Sequence, residues 1–230
     1  MKNKQGFTLV EMLISLAIGM VVLTSIYAVV NMSQKSTVNV ERKVYASQDA
    51  RSAMAMMSLE IEMASFNPRP DLLSGSFWVT PATCTASANQ NYRGIQQATP
   101  SSITVQMNLS ADGSIGDDPN ESITYTYDDA NQYIIRTLDC GSGSHPFLGN
   151  LPGLPRAVRV INTSAVPVFR YFDAQGTEIT SASLPAGIPN IARIDITLWV
   201  ETEDIDMNSG QRKTIFYSTS VIPRNHVISR

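Results

Sequence analysis

The sequence is poor in charge, in cysteine and in histidine, and each shortage excludes a class of function. Charged residues make up 16% of the 230 residues, which is low for a soluble protein. Lysine and arginine total 17 against 20 acidic residues, a formal charge of −3, so no nucleic-acid partner is expected. A structural zinc site or an iron–sulfur cluster can hardly be assembled from two cysteines and two histidines. We therefore expect no metal and no cofactor.

Motifs that position catalytic groups are missing as well. The sequence has no G-x-S-x-G, no G-x-x-x-x-G-K-[ST], no G-x-G-x-x-G and no H-E-x-x-H. His145 lies in a loop rich in glycine and proline, and His226 lies near the C-terminus. Neither has a patterned Ser, Cys or carboxylate nearby, so both are predicted to be surface residues. The sequence does not predict an enzyme.

One long apolar run is present near the N-terminus. From Phe7 to Val30 the only charge is Glu11, and as an α-helix the run spans about 36 Å, enough to cross a bilayer with some tilt. Its thirteen Leu, Ile, Val and Phe side chains contribute roughly −4 to −8 kcal/mol to insertion, whereas a central acidic residue costs about 3 kcal/mol. Insertion is therefore favoured. Lys2 and Lys4 precede the run, which predicts a cytoplasmic N-terminus and an exported remainder.

A cleaved secretory signal peptide is the alternative for this run. Such a signal has an apolar region of about 7–15 residues and a small-residue cleavage site. The apolar run after Glu11 is longer, and no A-x-A pattern directly follows it, so a retained anchor is favoured. Glu11 itself then needs a cationic partner in lipid. The helix contains none, and a carboxylate one turn into the helix is not expected to turn back onto its own start. The partner is expected from another chain or from a new N-terminus.

The run from Lys4 to Glu11 resembles the prepilin leader motif of type IV pilins and type II secretion pseudopilins. The resemblance implies that a prepilin peptidase cuts between Gly6 and Phe7 and methylates the new N-terminal Phe7. Glu11 would become the fifth mature residue, which in that family pairs with the N-terminal amine of a neighbouring subunit during filament assembly. The implied processing residues are thus Gly6 and Phe7, and the implied assembly residue is Glu11.

The helix is predicted to continue beyond the membrane, because residues 31–66 contain no Pro and no Gly. Asn67-Pro68 is expected to end it at Phe66. The apolar positions that recur at helical spacing are Ala50, Met54, Met57, Ile61 and Ala64. A methionine stripe could bind copper or a cofactor, but packed core is the favoured interpretation; its members are Met54, Met56, Met57 and Met63.

The sequence pattern of the remaining chain, residues 67–230, is typical of a β-sheet domain. The predicted strands are Ser76–Thr80, Ser102–Leu109, Ser122–Tyr127, Tyr133–Leu138, Ala157–Ile161, Val168–Phe172, Ile191–Val200 and Thr214–Ile222. Turns are predicted at Tyr127–Asn131 and Asp173–Gly176, and long loops at Pro81–Ser101 and Gly141–Pro155. The expected fold is α+β and pilin-like, a long N-terminal transmembrane helix whose outer half packs on an antiparallel β-sheet domain. The expected divisions are a leader (1–6), a transmembrane half (7–30), an outer amphipathic half (31–66) and an exported domain (67–230).

Cys84 and Cys140 lie in the two predicted long loops. In an oxidising compartment one disulfide is favoured between them, and two free thiols are the alternative. The acidic segment Asp112–Glu121 could hold calcium, but its spacing is not that of an EF-hand, and a plain acidic turn is favoured.

Within the resembled superfamily, the helix from Asp49 to Ala64 is similar to that of PilW-like minor pilins and J-type pseudopilins. The first expectation is a PilW-like minor pilin that helps initiate, prime or cap a type IV pilus. A J-type pseudopilin of type II secretion is the second, and an adhesin or binding domain anchored by a single span is the alternative from another class. The implied partners are the prepilin peptidase, other minor pilins or pseudopilins and the major subunit. The implied location is the bacterial inner membrane, with a periplasmic C-terminal domain, and then the pilus or pseudopilus.

Overall fold

The computed structural model of the chain describes residues 7–69, 78, 89–111, 118, 120–138, 143–149, 158–206 and 209–226. Its first element is one unbroken helix, α1 (Leu9–Glu62), which has 54 residues and is about 80 Å long. Thr8 is the N-cap, so the helix begins just after Phe7. The predicted continuity between the apolar half and the outer half is confirmed.

A first sheet of five strands follows the helix. Its strands lie side by side in chain order and every pair is antiparallel. They are β1 (Ile95–Ala98), β2 (Ser102–Gln106), β3 (Ser122–Asp128), β4 (Tyr133–Leu138) and β5 (Gly143–Gly149).

A second antiparallel sheet is organised around its longest strand. Its members are β6 (Val158–Val160), β7 (Phe169–Phe172), β8 (Arg193–Thr202) and β9 (Thr214–Val221), and the short helix α2 (Leu184–Gly187) connects β7 to β8. β9 pairs with β8 from Ile194 to Glu201 and so fills one edge of β8. β6 and β7 pair with opposite ends of β8 and therefore share its other edge.

Seven of the predicted strands are confirmed as β2, β3, β4, β6, β7, β8 and β9; β4 has the predicted bounds, and the other six have shifted ends. The eighth, Ser76–Thr80, lies outside the described residues except for Trp78. The long-loop predictions are wrong where β1 and β5 form. β5 contains Pro146 and has a glycine at each end, a composition typical of loops. Proline is tolerated at this position because β5 is an edge strand with a register shift. Its pairing with β4 overrides its local preference.

Both predicted turns are confirmed. At the β3–β4 connection, the Asn131 N–H donates to Asp128 Oδ1 at 3.0 Å. After β7, the Gly176 N–H donates to Asp173 O at 3.1 Å, and Gly176 has φ of 81°. Asp and Asn side chains that bond to nearby backbone, and glycine at positive φ, are the features that make such segments readable as turns.

α1 ends at Glu62, so the prediction that it continues to Phe66 is wrong. Ser65 adopts a left-handed backbone with φ of 66°, which closes the helix before Pro68 can end it. The Ser65 N–H donates to Gln106 O at 2.9 Å. The end of the helix is thus set by its attachment to β2 and not by the local sequence.

Gly94 permits this close approach of helix and sheet. A Cβ at residue 94 would lie 2.1 Å from Ser65 N and 2.6 Å from Gln106 O, so only glycine fits there. The Gly94 N–H also donates to Ser65 Oγ at 2.9 Å. A larger residue at position 94 would force the C-terminal end of α1 away from the first sheet.

The core lies where one face of the outer half of α1 packs on the sheets, chiefly on β8 and β9. The buried face predicted from helical spacing is confirmed, and Ala46 and Ala53 extend it. Ala46, Ala50 and Ala53, which precede Met54 on this face, have small side chains that let the helix backbone approach the sheet closely. Burying this face removes apolar surface from water at about 25 cal/mol per Å². The α+β layout, with one long apolar N-terminal helix on an antiparallel sheet domain, is therefore confirmed.

The methionine stripe divides between core and surface. Met54 and Met57 are buried, and Met63 packs against the core. Packed core is therefore confirmed for these three. It is wrong for Met56, which is 43% exposed because it lies on the opposite side of the helix.

A nearly buried ion pair joins α1 to the first sheet. Arg136 on β4 donates to both carboxylate oxygens of Glu60, from Nη2 at 2.7 Å and from Nε at 3.1 Å. The side chains of Arg136 and Glu60 are only 11% and 12% exposed. Tyr125 on β3 also donates to Glu60, and burial, followed by the hydrogen bond to Glu60, raises the pKa of its hydroxyl. The three groups satisfy one another and fix the rotation of α1 over the sheet.

Replacing Glu60 should destabilise the fold strongly. Glu60→Ala leaves the Arg136 guanidinium without its counterion, so the free energy of unfolding should fall by about 3–5 kcal/mol. The measurement is chemical denaturation of the full chain in detergent micelles. Glu62→Ala is the matched control, because Glu62 has no ion pair among the described residues, and it should change stability by less than about 0.5 kcal/mol. Equal losses in the two variants would contradict the role assigned to the pair.

Candidate processing and assembly site

The start of α1 is held by a capping box. The Thr8 side chain accepts the Glu11 N–H at 3.3 Å, and Glu11 Oε2 accepts the Thr8 N–H at 2.9 Å. Thr8 Oγ1 also donates to Glu11 Oε2 at 2.8 Å. These contacts satisfy donors that the first turn of a helix would otherwise leave unpaired. Of the predicted processing residues, Phe7 lies directly before this box, and Gly6 lies outside the described residues.

The Glu11 carboxylate does turn back onto the first turn of its own helix, contrary to the expectation from the sequence. The sequence signal for this contact is the Thr8-x-x-Glu11 spacing. Both hydrogen bonds use Oε2, and within the described residues Oε1 has no hydrogen-bond partner. The donors from Thr8 are neutral, so they supply dipoles but not the positive charge that a carboxylate in low dielectric requires.

The apolar half of α1 satisfies its serine and threonine hydroxyls beyond the first turn internally. Ser15, Thr24 and Ser25 each donate to the backbone carbonyl four residues earlier, at 2.8–2.9 Å. No hydroxyl of these three residues is therefore left to face hydrocarbon unpaired. Within the described residues, α1 is the one helix long and apolar enough to cross a membrane.

From Val44 to Leu59, α1 presents a second, uncharged face on the side opposite the core. We call this face the outer stripe, and its exposed members are Val44, Tyr45, Gln48, Ser52, Ala55, Met56 and Leu59. Most of them recur at three- and four-residue spacing, which places them along one side of the helix. Neutral polar and small residues occupy its middle, and larger apolar ones occupy both ends. Because no charge would have to be desolvated, such a surface is suited to packing against another helix.

Side-chain contacts fasten α1 to the β8–β9 hairpin. Arg42 Nε lies 3.2 Å from Asp204 Oδ2, and Ser47 Oγ lies 2.7 Å from the Tyr217 hydroxyl. Arg51 Nε donates to the same hydroxyl at 3.1 Å. The sequence shows the basic helix residues and the acid near residue 204, but nothing in the sequence pairs them. These contacts hold the β-sheet domain at a fixed angle to α1.

The structure tests the predictions for the two histidines but not the predicted disulfide. Cys84 and Cys140 lie outside the described residues, so their disulfide stays a prediction. His145 is exposed on β5, as predicted. The prediction that His226 is a surface residue is wrong, because its ring is fully buried.

His226 joins the C-terminal segment to the end of α1. Nε2 lies 2.9 Å from Ile188 O, a pure acceptor, so the hydrogen-bond pattern assigns the proton to Nε2. Nδ1 then accepts from Ser65 Oγ at 3.1 Å, and Ser65 Oγ accepts from the Gly94 N–H. The pair is not a nucleophile and its base, because both side chains are buried and no carboxylate completes them among the described residues. The neutral ring is packed in the protein interior. Burial lowers the pKa of the His226 ring, and the positive charge of the nearby Arg93 lowers it as well. The hydrogen bond to Ile188 O raises the pKa, but the net shift is downward.

The acidic segment Asp112–Glu121 is described only at residues 118, 120 and 121. Glu121 is fully buried, and its Oε1 accepts the N–H groups of Leu109 and, at 2.9 Å, Ser110. Glu121 therefore organises the turn after β2, and Oε1 is committed to backbone donors. Within the part of the chain that the structure describes, no three His, Cys, Asp or Glu residues form a metal-binding group.

Comparison with known proteins gives one match. Residues 1–27 match the family described as the prokaryotic N-terminal methylation motif. No curated protein and no solved structure matches the chain. The motif supports the superfamily of pilins and pseudopilins, whose members are structural subunits and not enzymes. It implies processing by a prepilin peptidase and assembly with other pilins, and it is consistent with anchoring in the inner membrane.

The buried neutral His226 should make the fold sensitive to mild acid. The unfolded chain binds a proton near pH 6.5, whereas the folded ring binds one only at lower pH. Below about pH 6.5 the unfolded state therefore takes up more protons, and the free energy of unfolding falls until the pH passes the folded pKa.

Urea denaturation of the full chain in detergent at about pH 7.5 and about pH 5.5 measures this loss. His226→Gln should show a smaller loss between the two pH values than the wild type. His145→Gln, which removes an exposed histidine, should keep the wild-type loss. If His226→Gln matched the wild type, titration of His226 would not be the cause.

Proposed function

We propose that this chain is a minor pilin-like subunit, PilW-like in type, that helps initiate, prime or cap a type IV pilus after its leader is removed. The observation that carries the proposal is Glu11, the single charge in the apolar run, at the fifth position after the Gly6–Phe7 junction. The proposed location is the inner membrane, with the N-terminus cytoplasmic and the exported domain periplasmic, followed by the pilus. The proposed partners are the prepilin peptidase, other minor subunits and the major subunit.

Cleavage after Gly6 would create an ammonium at Phe7, next to the capping box. Glu11 Oε2 is occupied by Thr8, and Oε1 has no partner among the described residues. A neighbouring subunit shifted along the helix axis could place its ammonium against Oε1. A wrong axial register would leave one charge unpaired in low dielectric, at a cost of several kcal/mol. The pair would therefore select the register of the subunits more than it would stabilise them.

The two faces of the outer helix support a subunit role. One face is buried on the sheets, and the outer stripe is exposed and uncharged. An anchor for a solitary domain needs no second uncharged face outside the membrane. In a filament, that face would pack against the helices of neighbouring subunits, as the apolar half would in the membrane.

A J-type pseudopilin of a type II secretion system uses the same leader, anchor and helix. Deletion of the gene separates the two assignments. Loss of surface pili with normal secretion supports the pilus, and loss of secreted enzymes with normal pili supports the secretion system.

Glu11→Ala tests the proposed subunit role. The variant should lose its leader and reach the inner membrane normally, but its recovery in sheared filaments should fall at least about tenfold, because the neighbour's ammonium is left unpaired. Glu178→Ala, which removes an exposed carboxylate beside β7 that pairs with Arg170, is the control and should be recovered like the wild type. An anchored adhesin predicts another result, in which Glu11→Ala leaves localisation and recovery unchanged.

A further inference from the structure

β9 is a long strand with an open edge. Among the described residues it pairs only with β8, over eight consecutive residue pairs without a register shift. The strand contains no proline, no glycine and no charged residue. Proteins usually protect an exposed edge with one of these features, with a bulge or with a covering segment.

The pairing pattern identifies which backbone groups face outward. The Thr202 N–H donates to Lys213 O, so these two residues form a hydrogen-bonded pair at the start of the ladder. In an antiparallel pair such positions alternate with positions whose backbone groups point away from the partner strand. The outward-pointing positions of β9 are Thr214, Phe216, Ser218 and Ser220. Their N–H and C=O groups form a row that matches another extended strand and no compact ligand.

The edges of the other described strands are short, irregular or covered. β1 is only four residues long and has a register shift, and β5 has a register shift beside Pro146. The outer edge of β7 is covered, because Phe169 N–H donates to Pro100 O and Tyr171 O accepts from the Ile179 N–H. Among the described strands, β9 alone combines length, regularity and an uncovered edge.

β9 runs alongside α1, away from the membrane. Asp206, before the strand, contacts Asn39, and Tyr217, within it, contacts Ser47. His226, after the strand, contacts Ser65. Because the contacts advance together along helix and strand, β9 rises beside the outer half of α1. Tyr217 also contacts Arg51, which lies on the flank between the buried face and the outer stripe, so the open edge adjoins that stripe.

We infer that β9 accepts an extended strand from the exported domain of a neighbouring, non-identical pilin-like subunit, which lengthens the second sheet by one strand. The inference rests on the proposed function, since it takes the neighbour to be a subunit packed on the outer stripe. β-Strand addition supplies affinity through main-chain hydrogen bonds. The donated strand should be free of proline and uncharged where it faces Phe216, whose side chain is 59% exposed.

Antiparallel pairing between two copies of β9 conflicts with the membrane anchor. Two such strands are related by a two-fold axis perpendicular to their sheet. The second sheet packs flat on α1, so this axis would also be perpendicular to the helix and would point the two helices in opposite directions. Two anchors in one membrane must point the same way. Parallel pairing of two copies would keep the helices pointing the same way but would place them on opposite faces of the joined sheet, so the neighbour would not pack on the outer stripe. The partner strand is therefore expected from a different subunit.

Ser218→Pro against Ser218→Ala tests the open edge. The Ser218 N–H faces outward, so proline there spares the ladder to β8 but removes a central donor and blocks a new strand. Alanine removes the same side-chain contact, Ser218 Oγ to Thr197 Oγ1 at 3.3 Å, and keeps the N–H. Both variants should match the wild type in thermal unfolding and membrane abundance. The proline variant should fall about tenfold in filament recovery relative to the alanine variant.

A photocrosslink identifies the occupant. Phe216→p-benzoylphenylalanine in the full chain, irradiated in cells that assemble filaments, should crosslink to another protein that carries an N-terminal methylation motif. The crosslink should persist with Ser218→Ala and disappear with Ser218→Pro. Crosslinks to a second copy of this chain, or a crosslink that Ser218→Pro leaves intact, would overturn the inference. If Glu11→Ala blocks filament entry but Ser218→Pro behaves like Ser218→Ala, only the edge inference fails; if Glu11→Ala has no effect, the proposed function fails.

Discussion

The structure depends on one helix that must satisfy two solvents. The N-terminal half of α1 is apolar apart from Glu11 and a few hydroxyl residues, and the hydroxyls of Ser15, Thr24 and Ser25 bond to its own carbonyls, as lipid requires. The outer half buries one narrow face, where Ala46, Ala50 and Ala53 allow the sheets to approach. The Glu60–Arg136 pair and the contacts of Arg42 with the β8–β9 hairpin then fix the rotation and tilt of the domain. Because α1 is one continuous helix, the position of its apolar half determines the position of the β-sheet domain that packs on its outer half.

In the proposed assembly, Glu11 gives that helix its specificity for one axial register. Every other residue of the apolar run is uncharged, so this run could slide along a similar neighbour at little cost in free energy. In that proposal, a carboxylate with one oxygen held by Thr8 and the other unengaged among the described residues would admit only registers that supply a positive charge. The proposed order is that assembly in the membrane sets the axial shift, and that the outer stripe and the β9 edge are then brought against the neighbour.

The sequence predicts elements whose cause is local. The anchor, the buried helix face and seven strands follow from periodicity and length, and both turns follow from Asp, Asn and Gly chemistry. β1 and β5 could not be predicted in this way, because polar or proline-containing segments become strands only through their partners. The end of α1 at Glu62 and the burial of His226 have the same origin, since both depend on Ser65 meeting the distant Gly94 and Gln106. At the candidate site, the Thr8–Glu11 contact could be predicted from its spacing, whereas the pairing of Arg42 with Asp204 could not.

The central claim is that a newly made N-terminus at Phe7 supplies the charge that Glu11 requires. The most direct measurement is the mass of the N-terminal peptide from the membrane-bound protein. The account predicts a peptide that begins at Phe7 and carries one additional methyl group. A peptide that still begins at Met1, in protein already assembled with its neighbours, would contradict it.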